Sequence, residues 1–283
     1  MTILQIIILA VLQGLAELLP VSSSAHVILA QHAMGLDPSA PEMTFLLVML
    51  HTGTMFAVLL YFAKRWMAMF REPARAWEFG KALIIATAAT GVLGLALKYV
   101  IEHVILEHML GHSKGEVEAL FSVLPLVATS LFVAGLLIVW AGIRAPLGGK
   151  RESITAKDSL LVGLSQGLCL PFRGLSRSGT TISVSLLRGI SRPVSEDFSF
   201  ALAVLLTPPV IVLELNRLLR DRGNMHESLG SLLTPGLIGM FFSFLAGLVA
   251  LKWLSSWLEK GRWQYFGYYC IVLALITASL SFR

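Results

Sequence analysis

Two stretches decide how this chain is read: Gln13-Gly14-Leu15-Ala16-Glu17-Leu18-Leu19-Pro20-Val21-Ser22-Ser23-Ser24-Ala25-His26 and Gln166-Gly167-Leu168-Cys169-Leu170-Pro171-Phe172-Arg173-Gly174-Leu175-Ser176-Arg177-Ser178-Gly179-Thr180-Thr181. Each opens Gln-Gly-Leu, reaches Leu-Pro and enters a serine-rich run. Together they carry a carboxylate, a histidine, two arginines and several hydroxyls. Their surroundings are hydrocarbon-like: 56% of the 283 residues are hydrophobic and 14% charged, with a mean hydropathy of +0.77. A soluble domain is nearer about 25% charged. Polar groups in such a chain are expected to be buried in protein or to face a cavity, where they mark function.

The composition predicts an all-α polytopic membrane protein. Six stretches reach the roughly 20 residues needed to cross about 30 Å of hydrocarbon: 43–63, 82–102, 119–143, 198–216, 232–255 and 264–282. The first apolar stretch, Ile3–Leu12, has no basic region before it and no small-residue cleavage site, so it is expected to be retained. Cys169 and Cys270 lie in apolar segments, which argues against a disulfide or a cysteine metal site.

Two apolar regions do not span cleanly. Residues 3–19 run into Glu17 and Pro20 and resume at 25–36; residues 159–170 run into Pro171 and resume at 180–190. Short half-helices around a Pro/Gly/Ser break predict re-entrant hairpins, over about 3–36 and 159–190. The repeat continues beyond them. Thr44-Phe-Leu-Leu-Val-Met-Leu-His-Thr-Gly53 matches Ser199-Phe-Ala-Leu-Ala-Val-Leu-Leu-Thr-Pro208 at Phe, Leu, Leu and Thr. Each half, 1–150 and 151–283, is then one hairpin plus three spans, the two forming one integrated membrane domain. A hairpin enters and leaves on one side, and three spans carry the chain across. The halves are therefore expected to be inverted-topology repeats whose hairpin tips meet near the midplane.

Basic residues orient this arrangement. Lys64, Arg65, Arg71, Arg75, Lys81, Arg144, Lys150, Arg151, Lys157, Arg188, Arg192, Lys252, Lys260 and Arg262 fall on one side. Lys98, Lys114, Arg217, Arg220, Arg222 and Arg283 fall on the other. The positive-inside rule makes the first side cytoplasmic and faces the first hairpin mouth outward. The net charge of +5 is assigned to these topology-setting cations, and no nucleic-acid partner is expected.

Arg177, at the start of a short helix, offers a planar fork suited to phosphate oxygens. Ser176, Ser178 and Thr181 add hydroxyls, and Gly179 permits close backbone approach. Alternatively, Arg177 pairs with Glu17 for structure alone. A helix starting near Ser22 or Ser23 puts His26 on the same face. A serine and His26 would then act as nucleophile and base, or the serine caps the helix while His26 binds phosphate or activates water. Glu17 either orients the histidine or holds a divalent cation. His51, mid-span, lines the pocket or bonds between helices. Glu42 is read as solvated at an interface, and His103, His108 and His112 as members of a solvated loop.

The two motifs resemble the signatures of the undecaprenyl-diphosphate phosphatases of the bacitracin-resistance type: Glu-Gly-x-Thr-Glu-x-Leu-Pro-Val-Ser-Ser-x-Gly-His and Pro-Gly-x-Ser-Arg-Ser-Gly-x-Thr. The resemblance covers essentially the whole chain. It implies a multi-pass enzyme of the bacterial inner membrane, often a homodimer, whose site opens to the periplasm. Such an enzyme removes the terminal phosphate of a polyprenyl diphosphate lipid and usually needs Mg²⁺ or Ca²⁺. On this resemblance Glu17, Ser23, His26 and Arg177 are catalytic, with Glu17 also the metal ligand. Ser22, Ser176, Ser178, Gly179 and Thr181 would contact substrate on the same ground, and Gln13, Arg173 and His51 are expected to do so from their own positions in the sequence. Three departures stand out. Gln13 replaces a glutamate, Ala25 a glycine, and Arg173-Gly174 stands where Pro-Gly is usual. They leave room for a paralogue acting on another prenyl diphosphate. The repeat scaffold alone also suits a polyprenyl-lipid transporter or flippase.

Overall fold

The computed structural model describes residues 1–37, 41–103, 123–145, 151–220 and 229–281. His108, His112, Lys114, Lys150, Arg222 and Arg283 lie outside these residues, as do the side chains of Glu42, Arg217 and Arg220. The described chain is helical: α1 (Ile3–Leu18), α2 (Ser23–Ala33), α3 (Pro41–Phe70), α4 (Pro73–Tyr99), α5 (Leu124–Arg144), α6 (Ala156–Cys169), α7 (Arg177–Leu187), α8 (Arg192–Arg220), α9 (Leu229–Glu259) and α10 (Trp263–Ser281). Six of them, α3, α4, α5, α8, α9 and α10, are long and apolar enough to cross a membrane. That matches the six spans expected. Only 28–44% of each span's most apolar window is buried in the protein. Residues such as Leu60, Val92, Leu95, Ile143, Val249 and Leu275 are left facing outward, a surface suited to lipid rather than water.

The four remaining helices have 16, 11, 14 and 11 residues. At 1.5 Å per residue they reach about 17–24 Å, short of the hydrocarbon thickness. Capping boxes start α1 and α6: Thr2 accepts from the Gln5 amide and Thr155 from the Asp158 amide, with the partner side chain reaching back in each case.

Helix α1 packs on α9, α6 on α4, and α5 on α10. The paired Gln-Gly steps explain the first two contacts. A Cβ on Gly14 would stand 2.5 Å from the Ser243 carbonyl oxygen of α9. A Cβ on Gly167 would stand 3.0 Å from Leu93 Cβ and 3.1 Å from the Thr90 carbonyl oxygen of α4. Glycine lets each short helix lie backbone-to-backbone on a span contributed by the other half of the sequence. Beside Gly167, Gln166 Nε2 donates to Thr90 Oγ1 at 3.1 Å. Apolar clusters fill the space between: Ile6, Leu9, Leu46 and Leu50 around α1 and α3; Ala86, Val162, Phe198 and Leu202 between α4, α6 and α8; and Phe62, Ile138, Ile182, Phe200, Leu254 and Trp263 at the centre.

One end of the molecule gathers the predicted cytoplasmic cations. Arg65 on α3 pairs with Asp197 at 2.9 Å and Glu196 at 3.3 Å on α8, and donates to the Pro193 carbonyl at 3.0 Å. Ser255 and Tyr61 extend this network, Ser255 donating to Glu196 and Tyr61 to Ser255. Arg192 donates to the Glu259 carbonyl. The span read as 198–216 therefore starts earlier, at Arg192, because the charges that mask its first turns are paired. Nearby, fully buried Asp158 accepts from Arg151 and Arg188, each at 2.8 Å. This joins the start of α6 to the end of α7.

Burial pushes the Asp158 carboxyl up. Hydrogen bonds from Arg151, Thr155 and Arg188 outweigh this and hold it well below the usual carboxylate range. A folded pKa below the unfolded value of about 3.9 means stability that is full above that pH and is lost as pH falls toward the folded pKa. Asp158→Asn should therefore lower stability near neutrality by about 1–3 kcal/mol, the arginines being partly solvated. Below about pH 4 the gap from wild type should narrow in thermal melts of detergent-solubilised protein.

Candidate active site

The break after α1 and the break before α7 meet. Arg177 Nη2 donates to Glu17 Oε1 at 2.6 Å, across 160 residues of sequence. Ser178 Oγ reaches the Leu19 carbonyl at 3.4 Å. Glu17 Oε2 accepts from Ser23 Oγ at 2.5 Å and from Gln13 Nε2 at 3.2 Å, and His51 Nε2 stands 3.8 Å away. The Glu17 side chain is 16% exposed and that of Arg177 22%, so this ion pair is screened far less than a surface one.

The arginine fork is only half used. Arg177 Nη1 is buried and has no hydrogen-bond partner among the described residues. An unsatisfied charged donor of this kind is costly unless something else fills the position. Arg177 also lines a small cleft, together with the polar Glu17, His51, Thr54 and Thr207 and the apolar Leu18, Met55, Val58, Ala203 and Val204. A guanidinium in a cleft with several apolar side chains suits an oxyanion carried on a lipid.

The second motif supports Arg177. Ser176 caps α7, its Oγ accepting from the Gly179 amide at 3.2 Å. A Cβ on Gly179 would press on Ile138 at 2.8 Å and Ser176 Oγ at 3.0 Å. Thr181 binds the Arg177 carbonyl at 2.8 Å and Ser199 of α8 at 2.6 Å, which fixes this turn against the next span. Arg173 sits in the preceding turn, next to Gly174, whose φ of +109° places it in the region open to glycine. Gly174 packs against Val127 and Ser130 of α5, and Arg173 is not among the residues lining the cleft.

His26 stands apart from Ser23. Its Nδ1 lies 2.8 Å from the Ser22 carbonyl and its Nε2 2.6 Å from the Tyr269 hydroxyl. The nucleophile–base pairing of serine with His26 is thus not what the structure forms: both ring nitrogens are engaged elsewhere, and Ser23 turns to Glu17. Nor does Ser22 cap α2 with its side chain. Its Oγ contacts Ser24 Oγ at 3.2 Å. Ser22 is the one non-glycine residue with positive φ, +65°, among the described residues. Holding it there costs on the order of 1–3 kcal/mol, which sits naturally at a functional turn.

Tyr269, Thr54, Thr207 and Ser199 were not singled out by the sequence. Thr207 and Ser199 lie inside the second copy of the repeat, which was the available signal. Tyr269, in an apolar aromatic run, had none.

Among the described residues no three His, Cys, Asp or Glu side chains gather to hold a metal. Glu17 with Ser23 supplies one carboxylate and one hydroxyl. That fits a Mg²⁺ or Ca²⁺ ion taking its remaining oxygens from phosphate and water, as Mg²⁺ commonly does.

Residues 6–276 match the profile of the family described as bacitracin resistance protein BacA. The chain belongs to this family. Curated relatives agree along its length. An undecaprenyl-diphosphatase 2 from Acinetobacter baylyi is 53% identical over 290 aligned residues, with 99% of each chain covered. An undecaprenyl-diphosphatase from Korarchaeum cryptofilum is 33% identical, with 99% of this chain and 100% of the relative covered. One from Bdellovibrio bacteriovorus is 30% identical, with 100% and 97% covered. Family membership therefore holds despite Gln13, Ala25 and Arg173.

The half-used fork yields a binding prediction. Arg177→Lys keeps the charge and loses the second donor arm. A non-hydrolysable methylene-bridged diphosphonate, titrated calorimetrically, should bind at least about tenfold more weakly, the size of one charge-assisted hydrogen bond. Unchanged affinity in folded protein would remove the clamp role.

Proposed function

We propose that this chain is a membrane phosphatase that hydrolyses undecaprenyl diphosphate to undecaprenyl phosphate and inorganic phosphate, recycling a lipid carrier for the cell envelope. The observation that carries the reading is Arg177, tied to Glu17 by one arm with the other buried and unpartnered, in a residue that also lines a cleft with several apolar side chains. The names of the relatives, all undecaprenyl-diphosphatases, point the same way.

The chemistry follows from the contacts. Arg177 holds the terminal phosphoryl oxygens and stabilises the charge that grows on them. Ser23 Oγ attacks the terminal phosphorus while Glu17, already accepting its hydrogen bond, takes the proton. The bond from that phosphorus to the bridging oxygen breaks, and undecaprenyl phosphate leaves with the electron pair. Water, deprotonated by Glu17 once its proton is released, then hydrolyses the phosphoserine and frees inorganic phosphate. A divalent cation, when bound beside Glu17 and Ser23, would neutralise phosphate charge. His51, 3.8 Å from Glu17, lies where it can contact the diphosphate.

The same reading gives the architecture a reason. Two inverted repeats, residues 1–150 and 151–283, would each bring a re-entrant hairpin to the midplane, one supplying Glu17 and Ser23 and the other Arg177. The short lengths of α1, α2, α6 and α7 and the exchanged packing of α1 on α9 and of α6 on α4 support it. With the basic end in the cytoplasm, the α1–α2 mouth faces the periplasm of a bacterial inner membrane. The resemblance carries a homodimer with it.

Purified protein should release phosphate from undecaprenyl diphosphate; a protein that only moves the lipid between leaflets of a vesicle and releases none would favour the transporter reading. Ser23→Ala should cut turnover by at least about a hundredfold, and wild type quenched in acid should carry labelled phosphoserine at position 23. Retention of activity within about tenfold would instead assign the attack to water.

Gln13 donates to the same Glu17 oxygen as Ser23. Gln13→Glu adds a second carboxylate beside it and should lower the Mg²⁺ or Ca²⁺ concentration giving half-maximal rate, measured by metal titration. An unchanged titration would make Gln13 a structural substitution.

A further inference from the structure

The contacts of His26 lead away from the cleft to a residue with no assigned role. Tyr269, on α10, lies 243 residues from His26 in sequence, yet its hydroxyl is 2.6 Å from His26 Nε2. The two rings lie nearly in one plane, with centroids 5.7 Å apart and planes within 7°, so the hydroxyl meets the in-plane lone pair of Nε2 edge-on. On the other side of the imidazole, Nδ1 is 2.8 Å from the Ser22 carbonyl oxygen. A carbonyl only accepts, so Nδ1 carries the hydrogen. In the neutral ring Nε2 is then the acceptor, and the Tyr269 hydroxyl donates to it. The Ser22 carbonyl so held belongs to the one positive-φ non-glycine residue described. The next residue, Ser23, is the one whose hydroxyl meets Glu17.

We propose that Tyr269 is a positioning residue for the phosphatase: through one in-plane hydrogen bond it fixes the His26 ring, whose Nδ1–H holds the Ser22 carbonyl and thereby keeps Ser23 aimed at Glu17. This rests on the reading of Ser23 and Glu17 given above. It assigns His26 an architectural task at the turn rather than that of base to a serine, and explains why a strained serine is tolerated there: the turn is pinned from outside by α10. A cysteine one residue on reinforces the same junction, Cys270 Sγ reaching the Pro20 carbonyl at 3.4 Å.

The exchange Tyr269→Phe separates positioning from folding. Tyr269 is 47% exposed, so removing its hydroxyl leaves no buried hole, and the phenyl ring keeps the rest of the side chain in place. The expected result is a kcat lowered by about tenfold, the scale usual for losing a group that orients a functional histidine, with KM nearly unchanged because Arg177 and the cleft are untouched. Tyr269→Leu, which removes the ring as well as the hydroxyl, should fall at least as far. Tyr268→Phe, altering the neighbouring exposed hydroxyl, should match wild type. In a His26→Ala background, Tyr269→Phe should add no further loss, since its effect passes through the imidazole. Nitrogen-15 spectra of histidine-labelled protein, with the His26 signals identified by their loss in His26→Ala, should show the Nδ1–H form in wild type and a mixture of forms in Tyr269→Phe. Wild-type kcat in Tyr269→Phe, or an equal loss with His26 absent, overturns the proposal. A wild-type protein that releases no phosphate would sink the phosphatase reading instead, while the nitrogen signals still report on the Tyr269–His26 pair.

Discussion

The candidate site is built on one ion pair, Glu17 with Arg177, in a molecule whose long helices turn largely apolar surfaces outward. Separately, each charge would be costly in surroundings so largely buried and apolar. Together they hold two breaks in the helical framework against each other, and a serine, a glutamine and a histidine gather on the carboxylate. The pair does not consume the arginine. One arm remains, and the surrounding side chains offer it nothing. A site that leaves a charged donor buried and unmatched is poised for an anion, and the apolar side chains that line the same cleft favour one attached to something greasy.

The supporting shell shows how little freedom these groups have. Thr181 and Ser199 lock the turn carrying Arg177 to α8, Ser176 caps the same helix, and the glycines at 14 and 167 bring α1 and α6 close to their partner spans. The other end of the molecule does a different job. Arg65, Glu196 and Asp197 join α3 to α8, while Asp158 closes α6 against α7 through two arginines. Charge there fastens helices; near Glu17 it is held for chemistry.

Much of this was legible beforehand because hydropathy and repetition are properties of the sequence itself. Six spans could be counted from apolar length, and Glu17 and Arg177 stood out because charged residues inside hydrocarbon have few innocent explanations. The failures are equally physical. Helical spacing puts Ser23 and His26 on one face, but spacing cannot tell which way an imidazole turns, and His26 turns to Ser22 and Tyr269. The positive φ at Ser22 is invisible because serine, unlike glycine, does not advertise it. Tyr269 reaches the site only through tertiary packing across 243 residues, a distance over which no local pattern speaks. The start of α8 was read too late because Glu196 and Asp197 look like a loop until Arg65 is beside them.

The exchanged packing of the short helices has a consequence for how the protein comes to be. Glu17 is synthesised 160 residues before Arg177, and the α9 backbone against which Gly14 rests comes later still. At about 5–20 residues per second, roughly ten to thirty seconds pass between the carboxylate and its arginine. For that interval a newly made α1 has neither its counter-ion nor its supporting span. The α1–α2 segment therefore lacks its final contacts when it emerges. Those contacts form only once the second half of the chain has been made. Assembly of this site is a late event in the life of the nascent chain, set by the order in which the ribosome delivers its two halves.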